Sequence, residues 1–325
     1  MIQQLILIAA LVAPIPPGAA PGMPDLSPGA LRLVRDLKAN LLSVDRGGNL
    51  WAWESGSGRV ALYGPTGIAL SSVGVGSSAA VAADREWGVA ALSPNGRELR
   101  LVPWAGTPSS ISMDNDVRSV AWIDQNTIAV APALAARRVE IWDLRAKKRI
   151  REIGAELPLV PGEGVTRLRT IALHYAPERD LLYTLDSYTG DLQVYGMDGR
   201  LVRREAVPIH DRTDLDDWLA GWDRDDRAKH QTDTPTIWRL LLAFDSSANL
   251  WVVAACEKGK ALLFRMPPAG KAETATVDVD PACCSVGATI WQDSLILYHQ
   301  PERPLCNVVR RITVHLQLDR LLPQL

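Results

Sequence analysis

Arg118, Arg169 and Arg239 each stand six positions before the residue that closes a short apolar segment, namely Asp124, Tyr175 and Asp245. The same step back from Asp45, Asp84 and Asp293 reaches Ala39, Ser78 and Gly287, so three consecutive segments out of the set carry arginine at one equivalent position. Guanidinium groups bind carboxylates, sulfates and phosphates through paired donors, and a concave, water-poor site strengthens the attraction. If the segments line one channel, the arginines form an arc at its mouth and recognise an anion. The competing reading pairs each arginine with a nearby acid, because inward charges usually find structural partners.

Acids are close at hand in residues 209–237, IHDRTDLDDWLAGWDRDDRAKHQTDTPTI. Leu215, Trp218, Leu219 and Trp222 recur at helical spacing, with Thr213 as N-cap and Asp216 three residues on. Asp214, Asp217, Asp223, Asp225 and Asp226 fall on or beyond the polar side. Two readings stand: a helix that caps the channel mouth with a solvated acidic face, or a lid carrying Trp218 and Trp222 over a ligand. The Asp spacing lacks the glycine and terminal glutamate of a calcium loop. His174, His210 and His230 have no metal-ligand spacing, and no serine-hydrolase elbow, zinc-protease motif or phosphate loop is present, so no catalytic residue, metal or cofactor is expected.

Cys256, Cys283, Cys284 and Cys306 complete the reactive side chains. In an oxidising compartment, Cys256 pairs with one of the adjacent cysteines and Cys306 with the other. A vicinal Cys283–Cys284 bridge, a four-thiolate metal site or free buried thiols remain open, since spacing does not give connectivity.

The elements that position these residues repeat. Leu41 to Tyr63, LLSVDRGGNLWAWESGSGRVALY, has the same construction as Leu241 to Arg265, LLAFDSSANLWVVAACEKGKALLFR. Each is a strand closed by Asp, a turn ending in Asn-Leu-Trp, a second strand, a polar loop and a third strand. Carried along the chain, the unit recurs six times at intervals of roughly 40 to 50 residues, the pattern of an all-β, six-bladed propeller of four-stranded blades. The last unit, GATIWQD, SLILYHQ and VVRRITVHL, lacks a fourth strand, and residues 31–37, LRLVRDL, are a spare strand before the first. The N-terminal strand is therefore expected to complete the last blade and close the ring. The insertions at 157–165 and 209–237 enter between blades, on the face where the first strands begin, which marks that face for function.

The D-x-x-G-N-L-W motif and the R-V-x-L-Y strand that follows resemble six-bladed propellers of the broad NHL, TolB and strictosidine-synthase-like group. Arg138 to Arg145, RVEIWDLR, also resembles a WD40 strand, without the accompanying Gly-His pair. The resemblance implies, as one alternative, a metal-dependent hydrolase or lactonase holding a divalent cation with Glu, Asn and Asp at the channel mouth. Here the opening positions are Arg, Ala, Ser or Gly, and Asn40 is the one oxygen ligand close to them.

Composition bounds the rest. With 35 Lys plus Arg against 37 Asp plus Glu, no global field draws the chain to nucleic acid. Residues 1–22 read as a secretory signal peptide or a disordered N-terminus, followed by a single propeller domain over 23–325. The apolar run is too short to span a bilayer, so the mature chain has no integral membrane segment and is expected in the periplasm or outside the cell. The expected function is a non-catalytic, exported propeller that binds a small anionic ligand or a protein partner at the inserted face.

Overall fold

A computed structural model describes residues 39, 41–45, 47–54, 56–132, 138–154, 170–187, 189–208, 240–244, 248–255, 260–278, 286–291, 294–299 and 314–317. They form antiparallel meanders in which sequence neighbours pair. The first holds β1 (Leu41–Val44), β2 (Leu50–Glu54), β3 (Arg59–Tyr63) and β4 (Ala69–Gly74); the second, β5 (Ala80–Asp84), β6 (Gly88–Leu92), β7 (Glu98–Val102) and β8 (Ser109–Ser112). The third holds β9 (Val117–Asp124), β10 (Thr127–Pro132), β11 (Val139–Asp143) and β12 (Lys148–Ile153); the fourth, β13 (Ile171–Ala176), β14 (Leu181–Asp186), β15 (Asp191–Gly196) and β16 (Leu201–Ala206). The fifth holds β17 (Leu240–Phe244), β18 (Leu250–Ala255), β19 (Lys260–Met266) and β20 (Glu273–Asp278), and the last sheet β21 (Val286–Trp291), β22 (Ser294–His299) and β23 (Val314–Gln317).

The sheets pack face to face around a ring. Val60 and Leu62 of blade one meet Val81 and Val89 of blade two. Leu99 and Ile111 meet Val120 and Ile128 of blade three, whose Ile141 and Ile153 meet Leu182 and Tyr195 of blade four. Leu192 and Val194 then meet Leu250 and Phe264 of blade five. Trp291 and Ile296 of the last sheet pack on Leu42 and Leu50 of blade one. Covered on both faces, middle strands such as β6 and β10 are near-continuous apolar runs, with Ala90, Ala91, Ala129 and Ala131 filling space where the wedges are packed. Outer strands β4, β12 and β16 are mostly exposed. This is an all-β propeller of four-stranded blades.

The blade count differs from expectation in one respect. Five blades have four strands, and the last sheet has three. Its expected fourth strand, residues 31–37, lies outside the described residues, as do both insertions.

The D-x-x-G-N turn proves to be a latch between blades. The Asp45 carboxylate accepts from Gly47 N and Asn49 N, each at 2.9 Å, and from Asn49 Nδ2 at 3.0 Å, which closes its own turn. It also accepts from Arg85 N of blade two at 3.1 Å. On the other side, Trp291 Nε1 of the last sheet donates to Gly48 O at 3.1 Å. Blade five repeats the device: Arg179 of blade four donates to Ala248 O at 3.1 Å, and Ala248 occupies the place of Gly48.

Both residues are left-handed, Gly48 at φ 75° and Ala248 at φ 60°. An alanine there bears a steric cost of about 1 kcal/mol that glycine escapes. Gly48→Ala should therefore lower stability by about 1 kcal/mol, because its new Cβ would meet nothing within 4 Å and only the backbone pays. Ala248→Gly should raise stability by a somewhat smaller amount. Denaturant midpoints of the two variants moving in the same direction would refute this account.

Candidate functional site

Inner strands β1, β5, β9, β13, β17 and β21 begin on one face of the ring, called here the entry face. Arg118 lies at the entry end of β9, half-buried, and its environment is unlike that of the other inner strands. Val117 pairs with Pro132 and Ser119 with Ala131, so Arg118 is the extra residue of a β-bulge. Pairings of the other inner strands with their neighbours are regular. A bulge bends the strand and re-aims the extra side chain, and Pro132 opposite has no N–H to give the ladder. The Arg118 Nε is buried without a hydrogen-bond partner. Of the equivalent positions, Ala39 is buried in the seam between the last sheet and blade one, and Ser78 Oγ sits 3.4 Å from Gly76 O.

Val117 is held from below by blade two, where its N–H donates to Gly96 O at 3.0 Å. Asn115, in the same connection, reaches Glu140 Oε1 at 2.7 Å. Glu140 is 1% exposed and fully engaged, accepting from Arg149 Nη1 at 3.1 Å and, on Oε2, from Trp142 Nε1 at 2.9 Å. The Trp-Asp pair that resembled a WD40 strand has local duties here. Trp142 satisfies Glu140, and Asp143 Oδ1 caps the following turn through the amides of Arg145 and Ala146, each at 2.8 Å.

The chain has counterparts among solved structures. Hydrazine synthase from Kuenenia stuttgartiensis matches at 11% identity over 86% of this chain and 77% of that one, with a TM-score of 0.50. Virginiamycin B lyase from Staphylococcus aureus matches at 11% identity over 80% and 76%, TM-score 0.49. The Cps50 (Swd1) β-propeller domain of Myceliophteria thermophila matches at 12% identity over 87% of each, TM-score 0.48. At such identities the likeness concerns the fold alone. No family model matches the sequence, and no curated protein does.

Between blades three and four of the propeller, a second buried network escaped sequence reasoning. Arg138, 3% exposed, donates through Nη1 to Asp191 Oδ2 at 3.0 Å and through Nη2 to Asp191 O. Arg204 Nε donates to Asp191 Oδ1 at 2.7 Å, and Gln193 joins the same carboxylate and the Tyr195 hydroxyl. Burial pushes the Asp191 carboxyl up, but the hydrogen bonds and charges of Arg204 and Arg138 outweigh it and hold the group below the usual carboxylate range. The signal available in sequence was a Gln-x-Tyr pair on a strand, which has no specificity.

At the exit end of the channel, Trp87 and Trp122 meet with ring centroids 5.6 Å apart and planes tilted by 57°. Trp122 Nε1 donates to Ala82 O at 3.3 Å, joining blade three to blade two. Tyr175, next to the last residue of β13, donates to Asp180 Oδ1 at 2.9 Å; burial first, then Asp180, Asp124 and Glu178, push its hydroxyl up to about 12. His174, its neighbour on β13, is pushed down to about 4 by burial. On the rim of blade two, an open cleft of about 670 Å³ is lined by Ser93, Asn95, Arg97, Glu98, Ser110 and Ser112, away from the channel.

Of the residues singled out by sequence, Arg118 and His174 are placed. Arg169, Arg239, Trp218, Trp222, Cys256, Cys283, Cys284, Cys306, His210 and His230 lie outside the described residues. Among the described residues there is no group of three His, Cys, Asp or Glu that could hold a metal, and no helix long and apolar enough to cross a membrane.

Proposed function

We propose that this propeller is an exported binding protein that takes an anionic ligand, free or carried by a protein partner, at the entry mouth of its channel, and that it performs no catalysis. The observation that carries the reading is Arg118: a half-buried arginine that is the extra residue of a bulge at the entry end of β9, with its Nε unsatisfied. A buried N–H without an acceptor costs about 1–3 kcal/mol, and a bound carboxylate, sulfate or phosphate would remove that cost. Arg169 and Arg239 extend the site around the mouth, and Trp218 and Trp222 cover it. The three-stranded sheet is the sixth blade, completed by residues 31–37. The opening positions argue against the hydrolase alternative, since Ala39, Ser78 and Gly287 supply no carboxylate to a divalent cation.

Calorimetric titration of the purified chain with a panel of carboxylates, sulfates and phosphate monoesters should find a ligand. Arg118→Ala should weaken its binding roughly tenfold or more without unfolding the ring. Equal affinity in a folded variant would remove Arg118 from the site. Metal-dependent turnover of esters or lactones would overturn the non-catalytic reading.

A further inference from the structure

The outer rim of blades three and four carries a second surface, set apart by its positive charge rather than by its bulges, since β4 of blade one is bulged in the same way at the exposed Leu70. Outer strand β12 is bulged: Ile141 pairs with Arg151 and Trp142 with Arg149, so Ile150 is the extra residue and stands 51% exposed. β16 does the same, with Val202 the extra residue between the partners of Val194 and Tyr195, 48% exposed, beside Leu201 at 48%. A bulge commonly protects an edge by twisting it. Here each also turns a large aliphatic side chain outward, where it gains nothing in the free molecule.

The two strands belong to one surface. Arg151 of β12 donates to Met197 O in the turn that leads into β16. On β12 and in the turns that lead into β12 and β16 stand five exposed cations, Arg145, Lys147, Lys148, Arg151 and Arg200. Among the described residues none of them forms an ion pair with a carboxylate. Lys147 and Arg151 donate only to the neutral carbonyls of Ser110 and Met197. The nearby acids are occupied: Glu152 pairs with Arg149 at 2.6 Å, Glu205 with Arg203 at 2.8 Å, and Asp143 and Asp198 cap their own turns. The chain as a whole is −2, so this is a local excess of positive charge.

We infer that the β12–β16 rim docks an extended, acidic segment of a partner protein in which carboxylates alternate with aliphatic side chains. Such a segment answers all three features at once. Its carboxylates meet the five cations, its aliphatics cover Ile150, Leu201 and Val202, and its backbone finds the unpaired outer edge of a strand. A nucleic acid or an anionic lipid surface would use the charge and leave the strand edge unmet. The surface lies on the rim rather than in the channel, so it stands or falls independently of Arg118.

The test uses the full chain and a fluorescent octapeptide of alternating glutamate and valine, with an alternating glutamate–glycine octapeptide, a short DNA duplex and phosphatidylserine vesicles as competitors. The glutamate–valine peptide should bind and slow amide exchange in residues 148–153 and 201–206. Combined Arg145→Glu, Lys148→Glu and Arg200→Glu should weaken binding about tenfold or more, and Ile150→Ser with Val202→Ser several-fold. Absence of binding, or protection elsewhere on the chain, overturns the proposal. Equal binding of the glycine peptide, the duplex or the vesicles also overturns it, because the rim would then be a surface that selects charge alone.

Discussion

Gly96→Ala should lower the stability of this propeller by about 3 kcal/mol or more. Gly96 lies in the loop between β6 and β7 with φ at 71°, where a side chain already costs about 1 kcal/mol. The added Cβ would stand 2.3 Å from Val117 O and 2.7 Å from Val117 N, and both are backbone atoms that no rotamer change can move aside. Either blade two or the start of β9 must shift. Val117 N donates to Gly96 O at 3.0 Å and Met113 N to Arg97 O at 2.9 Å, so the loop also carries the connection from one blade to the next. The variant should therefore lose stability in denaturant unfolding and, where it still folds, lose anion binding as well, since Arg118 follows Val117. A Gly96→Ala protein as stable as the parent would mean that the seam between blades two and three is far looser than its geometry states.

The same seam explains what the sequence disclosed and what it withheld. The repeat was legible because a propeller asks the same things of every blade. A middle strand such as β6, GVAAL, must be apolar on both faces, and a turn such as Asp45–Asn49 must supply a carboxylate, a left-handed residue and an amide in fixed order. Those demands leave residue types at regular intervals. The inter-blade duty of the turn was not legible, because Asp45 meets Arg85 N, a backbone group whose residue type is immaterial. The bulges were hidden for a related reason. Arg118 is re-aimed because Val117, and not Arg118, pairs with Pro132, a long-range register that strand propensity does not encode. Ile150 and Val202 look like inward residues in an alternating strand, and one extra residue in the ladder turns them outward.

His174 gives the second large effect, and it appears with pH. Its imidazole lies on the innermost strand of blade four, on the face that carries Ala172 and Ala176, and burial holds it at about 4 against an ordinary value near 6.5. The folded state thus keeps a neutral histidine that the unfolded chain protonates. Between the two values the unfolded state binds more protons, so stability rises with pH across that window. At neutral pH the group exacts no penalty. As pH falls below about 6.5 the penalty grows, and it levels off near 4, where the folded protein also takes up the proton. A full difference of that size corresponds to about 3 kcal/mol, which the partial exposure of the side chain should reduce to about 2 kcal/mol. Asp191 acts in the same direction at lower pH, because its depressed carboxyl contributes stability that is lost only as pH falls through its folded value. The two are separable by substitution. His174→Gln should flatten the stability profile between pH 6.5 and 4 and leave the steeper acid limb in place, whereas an unchanged profile would assign the loss in that window to other groups.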